Sequence, residues 1–308
     1  MSKYREIELS NIKTYPITAR QSKVQKSAFA APGKVDMDAF FACLPDILMA
    51  HELKELIEAC RKAKAIGKPV IIGLGGHVIK CGLAPLLIEL MDAGYVKAFV
   101  CNGAVAIHDF EIACFGQTSE DVAAALADGS FGMAEDTALF LNNAIINGYE
   151  KGLGMGEAIG AALQEKAAYP ELSLLASAYK RDIPVCVQVA IGTDIIHQSP
   201  HASGKAIGDT SMRDFRIFCH MVSTLDEGGV FINLGSAVIV PEVFLKALSV
   251  ARNLNGKVSN FTTAVFDMNM HYRARVNVAE RPVLTGGKGY YFIGHHELMI
   301  PLLVKALV

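Results

Sequence analysis

Five short apolar runs constrain this chain of 308 residues more than any other feature. They are Pro69 to Leu74 (PVIIGL), Val96 to Cys101 (VKAFVC), Ile183 to Ala190 (IPVCVQVA), Gly229 to Leu234 (GVFINL) and Phe261 to Phe266. Each is rich in β-branched residues and continuous in its apolar character, as expected of a parallel strand covered on both faces. Stretches with helical apolar spacing separate them: Phe40 to Gly67, Val78 to Ala93, Leu172 to Lys180, Ser211 to Leu225 and Pro241 to Asn253. Strands alternating with helices of this length imply right-handed crossovers. The fold class is therefore α/β: a Rossmann-like, doubly wound parallel sheet with helices on both faces. No repeat, low-complexity tract or linker divides the sequence, so residues 1–308 read as one domain. The first 35 or so residues are polar and read as an irregular arm over the body or onto a neighbouring subunit. Ser119 to Ala168 reads as helical with no strand.

Composition narrows the function classes. Apolar residues make up 52% and charged residues 19%, with a net charge of −2. Such a chain has material for a large core and lacks the basic excess of a nucleic-acid binder. The seven cysteines include no CxxC pair and are odd in number. That pattern fits reduced thiols rather than a disulfide framework. The amino-terminal MSKYREIELS has no apolar signal core, and no apolar run reaches membrane-spanning length. The expectation is a soluble, cytoplasmic protein without membrane or nucleic-acid partners.

In open α/β sheets ligands lie beyond the carboxyl ends of the strands. Here those ends carry Gly75, Gly76 and His77; Asn102 and Gly103, then His108-Asp109; Gly192, Asp194, His197 and His201; Gly235 and Ser236; and Asp267 and Asn269. Neither GxGxxG nor a P-loop is present, so the glycines alone do not define a nucleotide site. The coincidence of polar and small residues after five successive strands carries the argument for a small-molecule site. His108 and Asp109 are acid–base candidates, with turn capping as the structural alternative. His197 and His201 stand four apart, but Pro200 between them disfavours a regular helix. A metal-dependent hydrolase or lyase using His77, His108, Asp109, His197 and His201 is one alternative, and a non-catalytic binding protein is another. Met268 to Gly289 is polar and rich in arginine, and reads as an active-site or interface loop. Within it, Arg273, Arg275 and Arg281 are candidate anion binders and Lys288 a candidate nucleophile.

Four segments carry a resemblance. NGAVAIHDFEIA (Asn102 to Ala113), INLGSAVIVPEVF (Ile232 to Phe244), TAVFDMN (Thr263 to Asn269) and HHELMIPLLVKAL (His295 to Leu307) resemble, in order and spacing, segments of the deoxyhypusine synthase superfamily. The similarity covers roughly residues 68 to 308. It implies a Rossmann-like fold, NAD as cofactor, and a homotetramer with sites at subunit interfaces. Carried over by position, the NAD contacts are Gly75, Gly76, Asn102, Gly103, Asp194, Gly235, Asn269, His295 and His296, with His77 beside them. Lys288 stands where the resemblance puts the imine-forming lysine, and His108 and Asp109 remain the acid–base candidates. The departures fall on amine handling: the family's KHH is Val240-Pro241-Glu242 here, the acid after Arg281-Pro282 is missing, and the chain has no tryptophan. The expectation is a deoxyhypusine synthase-like, NAD-dependent enzyme acting on an amine or related small molecule, rather than a true deoxyhypusine synthase.

Overall fold

The computed structural model describes residues 10–28, 40, 41 and 43–308. The main sheet has six parallel strands: β2 (Val70–Leu74), β3 (Val96–Asn102), β5 (Val185–Gln188), β6 (Val230–Leu234), β7 (Phe261–Asp267) and β8 (Gly287–Ile293). Their spatial order is β5-β3-β2-β6-β7-β8. The chain thus starts in the middle, builds outward on one side, returns, and builds outward on the other. The crevice where the order reverses lies between β2 and β6, the usual ligand position in such sheets.

Strand alternation creates two cores. Val70, Ile72 and Leu74 of β2 join one apolar cluster, while Ile71 joins the other. β6 divides in the same way, with Val230, Ile232 and Leu234 on one face and Phe231 on the opposite one. The first face is covered by helices Leu48–Ala65, Ala84–Asp92, Leu174–Lys180 and His296–Leu307, among others. The second is covered by Gly204–Ser223 and Ile239–Asn255. Phe231 and Phe244 stack there with ring centroids 3.8 Å apart.

Several local expectations need correction. The helix expected over Phe40 to Gly67 is broken: Phe40, Phe41 and Cys43 are helical, and the long helix Leu48–Ala65 follows an interruption containing Pro45, which disfavours helix in the residue before it. The helix expected over Val78 to Ala93 is two helices, Gly76–Lys80 and Ala84–Asp92, separated where Gly82 takes φ +75°. Ser119 and Glu120 belong to a strand, β4 (Gln117–Glu120), which pairs antiparallel with β1 (Ser22–Gln25). The amino-terminal arm is therefore partly regular. Residues 10–28 lie on the body, and the rest of the expected arm falls outside the described residues. The Arg-rich stretch after β7 is not a loop. Residues 272–285 are helical, including a π-helical turn at Arg275–Glu280, and form the crossover into β8. Its arginines are engaged locally: Arg273 with Glu242, Arg275 with Glu280, and Arg281 with Asn277. Among the described residues, no helix is long and apolar enough to cross a membrane.

Candidate active site

The carboxyl ends of β2, β3 and β6 to β8, with the loop after β5, bring most of the sequence-selected residues to one rim. At the switch point, Gly75 and Gly235 allow backbones to meet. A Cβ on Gly75 would lie 2.1 Å from the Gly235 carbonyl oxygen. Gly235, at φ +66°, also admits the His296 ring, whose Nε2 would stand 2.2 Å from an added Cβ. His296 is buried, and its Nδ1 has no hydrogen-bond partner among the described residues. His77 lies edge-on to it, with centroids 5.7 Å apart, and is exposed, as are His295 and Asn269. These residues fit a dinucleotide laid across the β2–β6 crevice: small residues at the strand ends, an orphaned imidazole nitrogen beneath, and exposed polar groups around.

Beside the crevice, a cavity of about 200 Å³ is lined by Arg20, Lys80, Ala104, His108, Glu111, Glu120, Thr193 and Asp194, among others. His108 and Glu111 stand three apart on the helix Gly103–Phe115, so they share a face. His108 Nδ1 lies 2.7 Å from Thr118 Oγ1, and that hydroxyl donates to Glu111 Oε2 at 2.5 Å. Glu111 accepts both arms of the Arg20 guanidinium, at 3.0 and 2.8 Å. Burial pushes the His108 pKa down to about 4, against the opposing pull of Glu111. The ring is neutral at physiological pH. Lys80 lines the same cavity and has no hydrogen-bond or ion-pair partner among the described residues.

Asp194 occupies the other wall. It abuts the start of the helix Gly103–Phe115, and its Oδ2 is buried with no hydrogen-bond partner among the described residues. Desolvation raises its pKa to about 6. His197 accepts the Gly192 and Asp194 backbone N–H groups through Nδ1, which leaves Nε2 as a donor, 3.9 Å from Asp194 Oδ2. Both atoms are buried and unpaired. The Asp194 side chain also accepts the His197 backbone N–H in a capping box, but a carboxylate oxygen kept dry without a hydrogen bond is costly unless a ligand or water completes it.

Other selected residues have structural duties. Asp109 is fully buried and points away from the cavity, accepting the Ser173 hydroxyl at 2.5 Å and the Leu174 and Leu175 N–H groups at 2.7 and 3.1 Å. It caps the helix Leu174–Lys180 and does not pair with His108. Asn102 caps the helix Gly103–Phe115 by accepting from Val105 N. Gly76 gives room to Ala104 and His108. Lys288 does not reach the rim: it is the second residue of β8, at the amino end of the sheet, exposed and ion-paired with Glu55. His201 is exposed, and no group of three His, Cys, Asp or Glu able to hold a metal occurs among the described residues. Arg20, Lys80, Glu111, Thr118 and Glu120 line or support the cavity without having been selected from the sequence. The i, i+3 spacing of His108 and Glu111 was a usable signal, whereas Arg20 carried none.

No family model and no curated protein matches the sequence. Solved structures of similar fold do exist. AgrE in ternary complex with ornithine and NAD+ is 15% identical with a TM-score of 0.54, over 83% of this chain and 32% of that one. A Methanococcus maripaludis S2 protein assigned as LOR/SDH is 18% identical with a TM-score of 0.50, over 92% and 72%. An Entamoeba histolytica protein assigned as a deoxyhypusine synthase is 12% identical with a TM-score of 0.52, over 89% and 96%. The chain spans about a third of the length of AgrE. The fold is thus Rossmann-like and deoxyhypusine synthase-like, as the four sequence segments implied.

Proposed function

We propose that this protein is an NAD-dependent enzyme that oxidises the amine of a small molecule, and that an amino acid is its substrate class. One observation carries the reading. A single cavity presents a buried carboxylate oxygen on Asp194 and an ammonium on Lys80, neither with a partner among the described residues, and a neutral imidazole on His108. A zwitterionic amino acid offers the complement to each: an ammonium for Asp194 and a carboxylate for Lys80. The AgrE complex, of similar fold, holds ornithine and NAD+, which supports both the cofactor and the substrate class.

Gly75, Gly235, His77, Asn269, His295 and His296 would hold the dinucleotide at the β2–β6 crevice, with Asn102 and Gly103 shaping its wall. NAD+, when bound, supplies the acceptor for the hydride lost from the amine-bearing carbon. The protein's own groups manage charge and protons. Asp194 neutralises the substrate ammonium. His108 takes a proton from that ammonium at Nε2, freeing the nitrogen lone pair that forms the C=N bond as the C–H bond breaks. Hydrolysis of the imine by water then releases a carbonyl compound and ammonia. Lys80 keeps the substrate carboxylate away from Asp194. Unlike a spermidine site, this arrangement needs no tryptophan and no second carboxylate. A homo-oligomer with sites near subunit interfaces belongs to the same reading and is checked by light scattering.

The test has two stages. Millimolar NAD+ should raise the unfolding temperature, with stabilisation of about 2.7 kcal/mol at a hundredfold excess over Kd. NADH formation should then be followed by absorbance with amino acids and simple diamines. Absence of stabilisation by both NAD+ and NADH would overturn the cofactor assignment. Turnover of diamines but not amino acids would overturn the substrate class.

A further inference from the structure

Arg20 comes from the amino-terminal segment and is distant in sequence from everything it touches at the cavity. Its side chain is 5% exposed and that of Glu111 is 1% exposed. The pair is bidentate, and Arg20 Nη1 also lies 3.8 Å from Glu120 Oε1. The chain around Arg20 is strapped to the body at several points. Tyr15 N donates to Met133 O at 3.1 Å, Ile17 N donates to Asp136 Oδ2 at 2.8 Å, and Ser22 pairs with Glu120 in the β1–β4 ribbon. Ile17 itself is fully buried. A buried arginine on a well-fastened segment, aimed at a carboxylate, has a defined electrostatic task.

Hydrogen-bond polarity identifies that task. An arginine stays charged in proteins, so its bidentate partner Glu111 is held as a carboxylate. A carboxylate only accepts, so the Thr118 hydroxyl spends its one proton on Glu111 Oε2. Thr137 donates to Oε1 in the same sense. The Thr118 oxygen then accepts from His108, which requires the proton on Nδ1. His108 Nε2 is left as the lone pair. A protonated Glu111 would reverse the series: Glu111 donates to Thr118, Thr118 donates to Nδ1, and Nε2 carries the hydrogen.

We propose that Arg20 is a positioning residue that decides which nitrogen of His108 carries the proton, acting through Glu111 and Thr118. Docking of the amino-terminal segment thereby gives the cavity its proton acceptor. The inference rests on the cavity reading above, because it assigns a role to the His108 lone pair. The other charged or titratable groups acting on or lining the site with His108 are Lys80, His77, Glu120 and Asp194. None of these lies in the hydrogen-bond series, so none fixes its direction.

The experiment is nitrogen NMR of full-length, histidine-labelled protein at pH 7, with no cofactor or substrate added. Failure of the amine-oxidation reading would therefore leave the result interpretable. The wild type and R20K, which keeps the positive charge, should show His108 as the Nδ1–H tautomer. R20Q should move it to Nε2–H, because a buried carboxylate that has lost its guanidinium partner is costly to keep. T118V keeps the Arg20–Glu111 pair, removes only the link, and should also shift His108 to Nε2–H. It supplies the answer if R20Q does not fold. An Nε2–H tautomer in the wild type, or an unchanged Nδ1–H tautomer in folded R20Q or in T118V, would overturn the proposal.

Discussion

Asp194 sits so close to Gly103 that a single methyl group there would occupy its carboxylate: an added Cβ would lie 2.1 Å from Oδ2 and 2.5 Å from Cγ. Gly103 is the first residue of the helix that carries His108, so the contact joins the two walls of the cavity. G103A should therefore displace Asp194, not merely tighten the packing. The expected cost is about 1–3 kcal/mol by denaturant unfolding, the usual range for overpacking. Stabilisation by a bound amino acid should be lost as well. An unchanged unfolding midpoint would mean that Asp194 moves aside freely.

The raised pKa of Asp194 gives stability a definite pH dependence. In the unfolded chain the group titrates near 4, and in the folded protein at about 6. Between these values the folded state binds the extra proton, so this group's contribution falls as pH rises from about 4 through 6. Above pH 6 the ionised, buried carboxylate remains a standing cost of on the order of 2 kcal/mol. His108 acts oppositely. Its folded pKa of about 4 lies below the unfolded value, so stability is lost as pH falls from about 6.5 to 4. D194N should remove the first effect alone. Unfolding at pH 4 and pH 8 should show the variant gaining about 2 kcal/mol relative to wild type at the higher pH. Equal differences at both pH values would refute the assignment.

The sheet was readable because buried parallel strands need uninterrupted β-branched runs, and VIIGL and VFINL occur where β2 and β6 are found. The rim followed from parallel topology, which gathers all carboxyl ends on one side. His108 and Asp194 were found in this way. Arg20 was not, because its partner Glu111 lies 91 positions away and no local pattern encodes such a contact. β4 escaped notice for a similar reason: QTSE has little strand character alone and is held by pairing with residues 22–25. Asp109 misled because adjacent helical residues point about 100° apart. The His-Asp pair that reads together in sequence therefore faces two different layers.

That geometry makes Asp109 a folding residue. It satisfies the Ser173 hydroxyl and two backbone N–H groups at the start of the helix Leu174–Lys180. D109A leaves those buried donors unpaired, at about 1–3 kcal/mol for each group stranded. The total should exceed about 3 kcal/mol and show as a large fall in unfolding midpoint. D109N, which keeps an acceptor oxygen, should recover part of the loss. A D109A protein of wild-type stability with abolished turnover would instead return Asp109 to the chemistry.

Lys288 provides the converse case. A lysine nucleophile must be desolvated and close to substrate. Lys288 is 60% exposed and pairs with Glu55 at the amino end of β8, the far end of the sheet from His108. Exposed ion pairs contribute about 0–1 kcal/mol. K288A should therefore shift stability by less than about 1 kcal/mol and leave stabilisation by NAD+ unchanged. Borohydride treatment in the presence of a carbonyl substrate should trap no adduct at this position. An adduct located at Lys288 by mass spectrometry would show that the amino end of the sheet takes part in the reaction.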